Sequence, residues 1–296
     1  MAVVGLVVNP LHNEANEECE SLTTWLLAEG HEVHHLRAMA EPHRPSHFDL
    51  VVSLGGDGSL LRAVSVMNAV GIINGESRGL LYNSKAPVLG VNFGHLGYLT
   101  ACEPGEVKEM IHQVLNGECT IEERMMLHVQ VLDSNQEVKD EAHVLNDVVL
   151  KRGAGGDVLL GSTVQVGVTL DQSFFTSYSG DGLIVATPTG STAYAFSARG
   201  PIVESTHKSI QITPISAHGL FDRTLLMSPS TEVCLEILEN GKWHGVCYAD
   251  GRGMMGGVQV GDQVVVKASD QVTQLVVPRD RHFTHVMKSK FGFEDR

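Results

Sequence analysis

The chain has 296 residues, 43% of them hydrophobic, and a mean hydropathy of +0.02, values typical of a globular protein long enough for two domains. Its formal net charge of −14 argues against a protein built to bind a nucleic-acid backbone or an acidic membrane surface. The cysteines are scattered without a Cys-x-x-Cys pair, the N-terminus lacks a basic signal-peptide region, and no apolar run reaches about 20 residues. We therefore expect a cytoplasmic protein without disulfides, a zinc site of cysteines or a membrane span.

Strand-like and helix-like segments alternate through the first 118 residues. Apolar runs predict strands at 3–8, 32–36, 50–54 and 86–91, and helical spacing predicts helices at 13–29, from 59 onward and at 104–115. Strands that are apolar throughout fit a parallel sheet covered on both faces. The order predicts a doubly wound, Rossmann-like α/β domain over residues 1–118.

The third predicted strand ends in a glycine loop that carries one acid, Gly55-Gly56-Asp57-Gly58. A strand, a glycine loop and a helix in this order turn backbone N–H groups and a helix N-terminus toward phosphate. A carboxylate in such a loop is unfavourable unless it holds a metal ion or takes a proton. Two interpretations of Asp57 follow: a chemical role beside phosphate, or a simple cap of the helix.

The fourth predicted strand leads into a second glycine-containing segment, Asn92-Phe93-Gly94-His95-Leu96-Gly97-Tyr98-Leu99. Glycines at positions 94 and 97 allow the backbone to turn tightly or to approach a ligand. An ordinary turn from strand to loop is the alternative interpretation.

Beyond about residue 120 the pattern changes to alternating apolar and polar residues, which is typical of half-buried strands. Such strands are predicted near 127–132, 164–170, 233–237 and 263–267, with glycine and asparagine between them. We therefore expect a mainly antiparallel sheet domain over residues 119–275. The basic tail, residues 276–296, is expected to pack back on the first domain.

Three polar segments of the second half are candidates for ligand binding. Asn146-Asp147 heads an apolar strand, Gly180-Asp181-Gly182 precedes another, and residues 187–201 form a run of hydroxyls and small residues around Tyr194. Small residues permit close approach of the backbone, and hydroxyls can bind ribose or phosphate oxygens. A tyrosine ring can lie against a base.

Simpler structures are alternatives for parts of the second half. The hydroxyl-rich run fits a short helix capped by Thr189 or Ser191. Ala249-Asp250-Gly251-Arg252 is expected to form a hairpin turn, with an arginine that points to solvent.

Taken together, these motifs resemble those of the NAD kinases, enzymes that use ATP to phosphorylate NAD to NADP. The resemblance covers most of the chain, and its specific signal is the Thr-Pro-Thr-Gly-Ser-Thr-Ala-Tyr run at 187–194. The glycine loop is less specific, because lipid kinases and phosphofructokinases have a similar one. The resemblance implies an all-β sandwich as the second domain, with the tail returning to the first. It also implies a site between domains that a neighbouring subunit often completes, and hence a homodimer or homotetramer.

The resemblance implies roles for individual residues. Asp57 would be the catalytic general base within a phosphate loop of Gly55, Gly56 and Gly58. The residues that would bind NAD are Asp57, Gly58, Arg62, Asn146, Asp147, Asp181, Thr192, Ala193, Tyr194 and Ser197. Asn146 and Asp147 would bond the nicotinamide-side ribose, and the last four would surround adenine. Mg²⁺ would enter with ATP, and no residue is assigned as a direct metal ligand.

Three positions depart from the family's pattern. Asp147 is shorter than the usual glutamate, Arg199 stands where glycine is common, and Ser179 replaces an arginine found in some relatives. Two other functions fit part of the pattern. A lipid kinase shares the glycine loop but needs an apolar face or basic patch for membranes. A non-catalytic dinucleotide sensor needs the second-half pocket but no acid at position 57.

Overall fold

A computed structural model of the protein describes residues 1–36, 45, 47–73, 76–80, 85–94, 97–153, 163–219, 221–238, 244–254, 256–278 and 283–292. His95 and Leu96 of the second glycine segment lie outside the described residues. All five cysteines are free thiols, as predicted. None of the described helices is long and apolar enough to cross a membrane.

Strands outnumber helices in the described residues. In chain order the strands are β1 (Val3–Val8), β2 (Glu32–His35), β3 (Leu50–Gly55), β4 (Val70–Ile73), β5 (Glu76–Leu80), β6 (Val88–Asn92), β7 (Thr120–Leu132), β8 (Val138–Val144), β9 (Asp147–Arg152), β10 (Val164–Leu170), β11 (Ser173–Gly180), β12 (Gly182–Ala186), β13 (Ile210–Ile215), β14 (Leu225–Met227), β15 (Val233–Ile237), β16 (Gly245–Ala249), β17 (Arg252–Gly253) and β18 (Gln263–Val277). The helices are α1 (Asn13–Ala28), α2 (Asp57–Met67), α3 (Val107–Leu115), α4 (Tyr194–Ser197) and α5 (Phe283–Phe291), with 3₁₀ turns at Pro104–Glu106 and Thr189–Thr192.

The chain divides into two compact units. Unit 1 comprises residues 1–68, 82–124 and 272–296, and unit 2 comprises residues 69–81 and 125–271. The β4–β5 hairpin belongs to unit 2, although it lies between two segments of unit 1 in the sequence.

Unit 1 is a doubly wound α/β domain. Strands β6, β3, β1 and β2 lie side by side in this order, and each pairing is parallel. Helices α1 and α3 cover one face, where Leu22 and Ile111 pack in the same cluster as Leu89 of β6. The next residue, Gly90, faces the other way, and a Cβ there would lie 2.7 Å from Leu60 of α2. The parallel arrangement brings the C-terminal ends of β3 and β6 to one edge, which places the glycine loop beside the segment after β6.

The last part of the chain contributes to unit 1. Leu275 pairs in parallel with Val88, and Val276 is fully buried in the core of the unit. The Lys290 ammonium of α5 lies 4.8 Å from the centre of the Tyr98 ring. The tail therefore contacts the segment that follows β6.

Unit 2 is a β sandwich. One sheet has β11, β10, β15 and β18 in this order, with β7 paired to both β18 and β8, and the other has the order β14-β13-β12-β9-β16-β17. Alternate residues of the two sheets, among them Val129, Val166 and Val185, form one buried core. This alternation is the signal that predicted the strands at 164–170 and 233–237, whose bounds the structure reproduces.

Candidate active site

Asp57 is the first residue of α2 and lies where β3 ends. The N-cap of the helix is Gly56, and no side chain makes a capping hydrogen bond there. The Asp57 carboxylate instead accepts the backbone N–H of Tyr98 at 2.8 Å through Oδ2 and that of Leu99 at 2.9 Å through Oδ1. The interpretation of Asp57 as only a helix cap is therefore wrong, because its side chain is aimed at the segment after β6.

The absence of a side chain at Gly97 allows this contact. A Cβ at position 97 would lie 2.3 Å from Asp57 Oδ1 and 2.6 Å from the Thr100 hydroxyl. By contrast, a Cβ at Gly94 in the same segment would meet nothing within 4 Å. Position 97 therefore requires glycine, because any larger side chain would collide with the Asp57 carboxylate.

The negative charge of Asp57 affects the pKa of its neighbour Tyr98. Burial, and secondarily the negative charge of Asp57, raise the pKa of the Tyr98 hydroxyl. The Lys290 ammonium brings a positive charge close to the same ring. Asp57 as a residue is half-buried.

The open part of the glycine loop is its backbone at Gly56 and Gly58. A Cβ at either position would meet nothing within 4 Å, and Gly58 is exposed. Arg62 follows Gly58 by four residues on α2, so the two lie on the same side of the helix. The structure therefore places one carboxylate, an accessible backbone and one cation at the same helix terminus.

The second group of predicted residues centres on the turn Leu145-Asn146-Asp147, between β8 and β9 in unit 2. The Asp250 carboxylate accepts the backbone N–H groups of Leu145 and Asn146, each at 2.8 Å, and that of Asp147 at 3.1 Å. Asp250 is half-buried and lies in a two-residue hairpin turn with Gly251, where both residues have positive φ, +47° and +75°. The hairpin turn predicted at 249–252 is therefore confirmed, and its acid anchors the 145–147 turn.

The hydroxyl-rich run holds the same turn from the other side. The Thr187 hydroxyl donates to the Leu145 carbonyl at 2.5 Å, and the Thr187 N–H donates to the Asn146 carbonyl at 2.8 Å. A Cβ at Gly190 would lie 2.1 Å from the Asn146 carbonyl oxygen, so only glycine fits there. The backbone of Asn146 and Asp147 is thus held by hydrogen bonds with Asp250 and Thr187.

Asp147 is an acid in an unusual environment. It is 5% exposed, and burial together with the nearby Asp250 charge raises its pKa to about 7. The backbone N–H of Tyr194 donates a hydrogen bond to the Asp147 carboxylate, which opposes this rise in pKa. The pKa of Asp250 is also raised by burial, although three N–H bonds and Arg252 oppose the shift. The N–H bond from Tyr194 brings the Asn146-Asp147 segment together with the adenine-binding residues predicted at 192–197.

Part of the hydroxyl-rich run is structural. The Ser191 hydroxyl donates to the Pro188 carbonyl at 2.6 Å and accepts the Val203 N–H at 2.9 Å, and Thr187 caps the Thr189–Thr192 turn through the Gly190 N–H. Neither Thr189 nor Ser191 makes the predicted helix-capping bond. The expectation that the hydroxyls of this run serve a ligand therefore does not hold for Thr187 and Ser191.

Four other residues of the run are partly or largely exposed and open to a ligand. The Tyr194 side chain is 41% exposed, Ser197 is exposed, and Thr192 and Ala193 are half-buried. Nearby, the buried Oδ1 atom of Asn146 has no hydrogen-bond partner among the described residues. Because buried polar atoms in proteins are nearly always paired, this atom marks a place where a ligand can bind.

Asp181 is not brought together with Asn146 and Asp147 in unit 2. In the register of β9 and β12, Asp147 pairs with Ala186, whereas Gly182 pairs with Lys151. At about 3.3 Å per residue, Asp181 is roughly 17 Å from the Asp147 end of the sheet. Its side chain is exposed there, between two glycines that pack against the backbone of neighbouring strands.

The sequence did not show that Asp250 and Thr187 hold the 145–147 turn, or that the backbone N–H groups of residues 98 and 99 hold Asp57. In the sequence, Asp250 is accounted for by its turn, since Asp-Gly is a common hairpin pair.

The chain matches two family models, the ATP-NAD kinase N-terminal domain over residues 29–119 and the ATP-NAD kinase C-terminal domain over residues 145–277. The NAD kinase of Syntrophotalea carbinolica is 32% identical over 307 residues, covering 100% of both chains. The NAD kinase of Caldanaerobacter subterraneus subsp. tengcongensis is 32% identical over 301 residues, covering 98% of this chain and 99% of the relative.

Solved structures share the fold. Yeast NADH kinase complexed with NADH superposes with a TM-score of 0.82 at 23% identity, covering 100% of this chain and 89% of that one. An NAD kinase from Archaeoglobus fulgidus in complex with ATP gives a TM-score of 0.69 at 19% identity, with 97% and 98% covered. These likenesses confirm the predicted α/β domain followed by a β sandwich. The family models and full-length relatives show that the chain belongs to the NAD kinase family.

Proposed function

We propose that the protein transfers the γ-phosphoryl group of ATP to the 2′-hydroxyl of the adenosine ribose of NAD, giving NADP and ADP. Family membership supports this activity. The observation that carries the mechanism is the Asp57 carboxylate, held by two backbone N–H groups at the junction of a glycine loop and a helix N-terminus. Phosphoryl transfer needs little covalent chemistry from the protein, so positioning and charge neutralisation dominate.

Asp57 is the proposed general base. Each carboxylate oxygen accepts one N–H and retains a second lone pair for the ribose hydroxyl. As the ribose oxygen bonds to the γ-phosphorus and the bond to ADP breaks, the hydroxyl proton passes to Asp57. A base in this role contributes about 10²–10⁴-fold to the rate.

The glycine loop is the proposed phosphate site. The first N–H groups of a helix lack intrahelical partners, and those of α2 follow the open backbone of Gly56 and Gly58. Arg62 and Gly58 are proposed to contact the dinucleotide on the same side of α2. Gly55 ends β3 with a φ of +153° and places the loop.

Mg²⁺ is proposed to enter with ATP. The ion prefers phosphate oxygens and water to a full set of protein ligands. The loop offers one half-buried carboxylate, Asp57, whose oxygens already accept N–H groups, so the residues fit a metal held mainly by the nucleotide. When bound, the ion neutralises phosphate charge, which a chain of net charge −14 requires.

The dinucleotide pocket is proposed to lie around the 145–147 turn. Asn146 and Asp147 bond the nicotinamide-side ribose, and the unpaired Asn146 Oδ1 supports this assignment. Thr192, Ala193, Tyr194 and Ser197 surround adenine, with the exposed Tyr194 ring available for stacking. In this proposal the first domain, residues 1–118, supplies the base, and the second, residues 119–275, supplies most contacts to NAD.

Asp181 is proposed to contact a distant part of NAD. Its position at the far end of β12 from Asp147 supports a contact to NAD bound by a second copy of the chain. On this basis we propose a homodimer or homotetramer. The proposed location of the protein is the cytoplasm.

One assay tests the function against its rivals. The purified protein is incubated with ATP, Mg²⁺ and NAD, and NADP is detected with an NADP-specific dehydrogenase. Formation of NADP is the expected result. In a parallel incubation with ATP, Mg²⁺ and diacylglycerol, phosphorylation of the lipid without formation of NADP in the first would show a lipid kinase instead. NAD binding without turnover in either incubation would show a sensor.

A further inference from the structure

A cluster of two histidines and one glutamate lies on the β7–β8 hairpin, apart from the residues assigned to NAD or ATP. His128 and His143 are directly opposite each other in the antiparallel register, and Glu141 is two residues from His143, so all three share a face. The alternating residues Val129 and Ala142 point the other way, into the core of the sandwich. The cluster therefore faces away from the hydrophobic core.

This face is nevertheless largely removed from solvent. The side chains of His128 and Glu141 are 14% and 7% exposed, and the hairpin β4–β5 packs against β8. Burying two imidazoles and a carboxylate is costly unless they are paired or bind an ion. His128 Nε2 lies 2.5 Å from Glu141 Oε1, and the two imidazole rings stack with centres 4.8 Å apart.

We propose that His128, Glu141 and His143 form a binding site for Zn²⁺. One nitrogen or oxygen atom from each residue lies within 4.8 Å of those of the other two. Ligand atoms around tetrahedral Zn²⁺, with bonds of about 2.0–2.1 Å, are about 3.4 Å apart, so shifts on the order of 1 Å close the site. Two imidazoles with one carboxylate select Zn²⁺ over Mg²⁺ or Ca²⁺, which prefer oxygen ligands.

The surroundings of His143 fit a metal ligand. Its Nδ1 atom is 2.8 Å from the Ser269 hydroxyl, a contact that fixes the ring and leaves Nε2 for a metal. Histidines that bind metals generally donate their other ring N–H to such an oxygen.

The site would act on the 145–147 turn through the backbone. His143 is the penultimate residue of β8, and the turn follows at once. An ion that ties β8 to β7 would stabilise the strand that leads into the turn containing Asn146.

The experiment is a titration of the metal-free protein with Zn²⁺. Calorimetry measures the binding, and thermal unfolding measures its effect on stability. We expect one Zn²⁺ to bind and raise the unfolding temperature, with no such effect from Mg²⁺. Glu141→Gln and His143→Gln should each weaken binding at least about 10-fold, and Ser269→Ala should weaken it less. His207→Gln, at an exposed position outside the cluster, should bind as wild type. Binding that is equal in wild type and His143→Gln would overturn the proposal.

A second measurement does not depend on the variants folding. X-ray absorption of the wild-type protein with one equivalent of Zn²⁺ should show two imidazole nitrogens and a carboxylate oxygen at about 2.0–2.2 Å. Fewer than two imidazoles around the ion would contradict the assignment. Neither measurement involves turnover of NAD, so failure of this proposal and failure of the proposed kinase activity are distinguishable.

Discussion

Asp250 and Asn146 are 104 residues apart in the chain, yet the carboxylate of one accepts the backbone N–H of the other at 2.8 Å. With Leu145 and Asp147, the same carboxylate holds three successive N–H groups. Hydrogen bonds to a charged acceptor are about twice as strong as neutral ones. Asp250 is therefore a positioning residue, which holds the Asn146-Asp147 segment in place for a ligand.

Replacing Asp250 with asparagine should loosen the turn and lower the pKa of Asp147. The amide keeps one acceptor oxygen where the carboxylate had two, and it removes the charge that raises the Asp147 pKa. We expect destabilisation by about 1–3 kcal/mol and a larger effect on KM for NAD than on kcat. The pH profile of KM should shift to lower pH. The exposed Asp222→Asn is the matched control, and an unshifted profile in Asp250→Asn would contradict the account.

Asp147 should make the protein less stable as pH rises. Its pKa in the folded state, about 7, lies above its ordinary value of 3.8, so the folded state binds the proton more tightly. The free energy of unfolding therefore falls between about pH 4 and pH 7 and levels off above. Asp147→Asn should remove this part of the dependence, on the order of 2–4 kcal/mol. Denaturant unfolding at about pH 5 and pH 8 measures the free energy of unfolding of the wild type and of Asp147→Asn. An equal change between the two pH values in both proteins would refute the prediction.

Arg199→Gly should stabilise the protein. Arg199 has a φ of +67°, and its N–H closes the end of α4 on the Phe196 carbonyl at 2.9 Å. A left-handed conformation costs a residue other than glycine about 1–2 kcal/mol. Replacement by glycine removes this cost, but part of the gain in stability is lost because glycine gives the unfolded chain more conformational entropy. We expect a gain of about 1 kcal/mol, whereas Arg223→Gly, at an exposed position without positive φ, should give none. A lower denaturation midpoint for Arg199→Gly would exclude the explanation.

Gly97→Ala should impair catalysis through Asp57. The new methyl group would overlap Asp57 Oδ1, so the carboxylate must move. A displacement of about 1 Å at a catalytic group can cost about 10²-fold, and we expect a fall in kcat of this order. Gly94→Ala, in the same segment but with open space around its Cβ, is the control and should retain normal kcat. Equal activity of the two variants would count against the proposed position of the base.

Much of the fold could be predicted because its signals are local. The bounds of β10 and β15 follow from alternation, and the order of β1, α1, β2 and β3 follows from apolar runs and helical spacing. The contacts that orient the site are not local. Asp57 bonds to an N–H 41 residues away, and no periodicity reports such a pairing. The left-handed conformation of Arg199 is likewise known only from the structure, because its sequence neighbours give no sign of it.

The central claim is that Asp57 takes the proton from the ribose hydroxyl, and Asp57→Asn tests it most directly. Asparagine has nearly the same shape and keeps one oxygen for the 98–99 segment, so folding and the NAD dissociation constant should change little. The account predicts that kcat falls by about 10²–10⁴-fold while NAD binding, measured by calorimetry, stays within a few-fold of wild type. A variant that forms NADP at a near-normal rate would show that Asp57 is not the base.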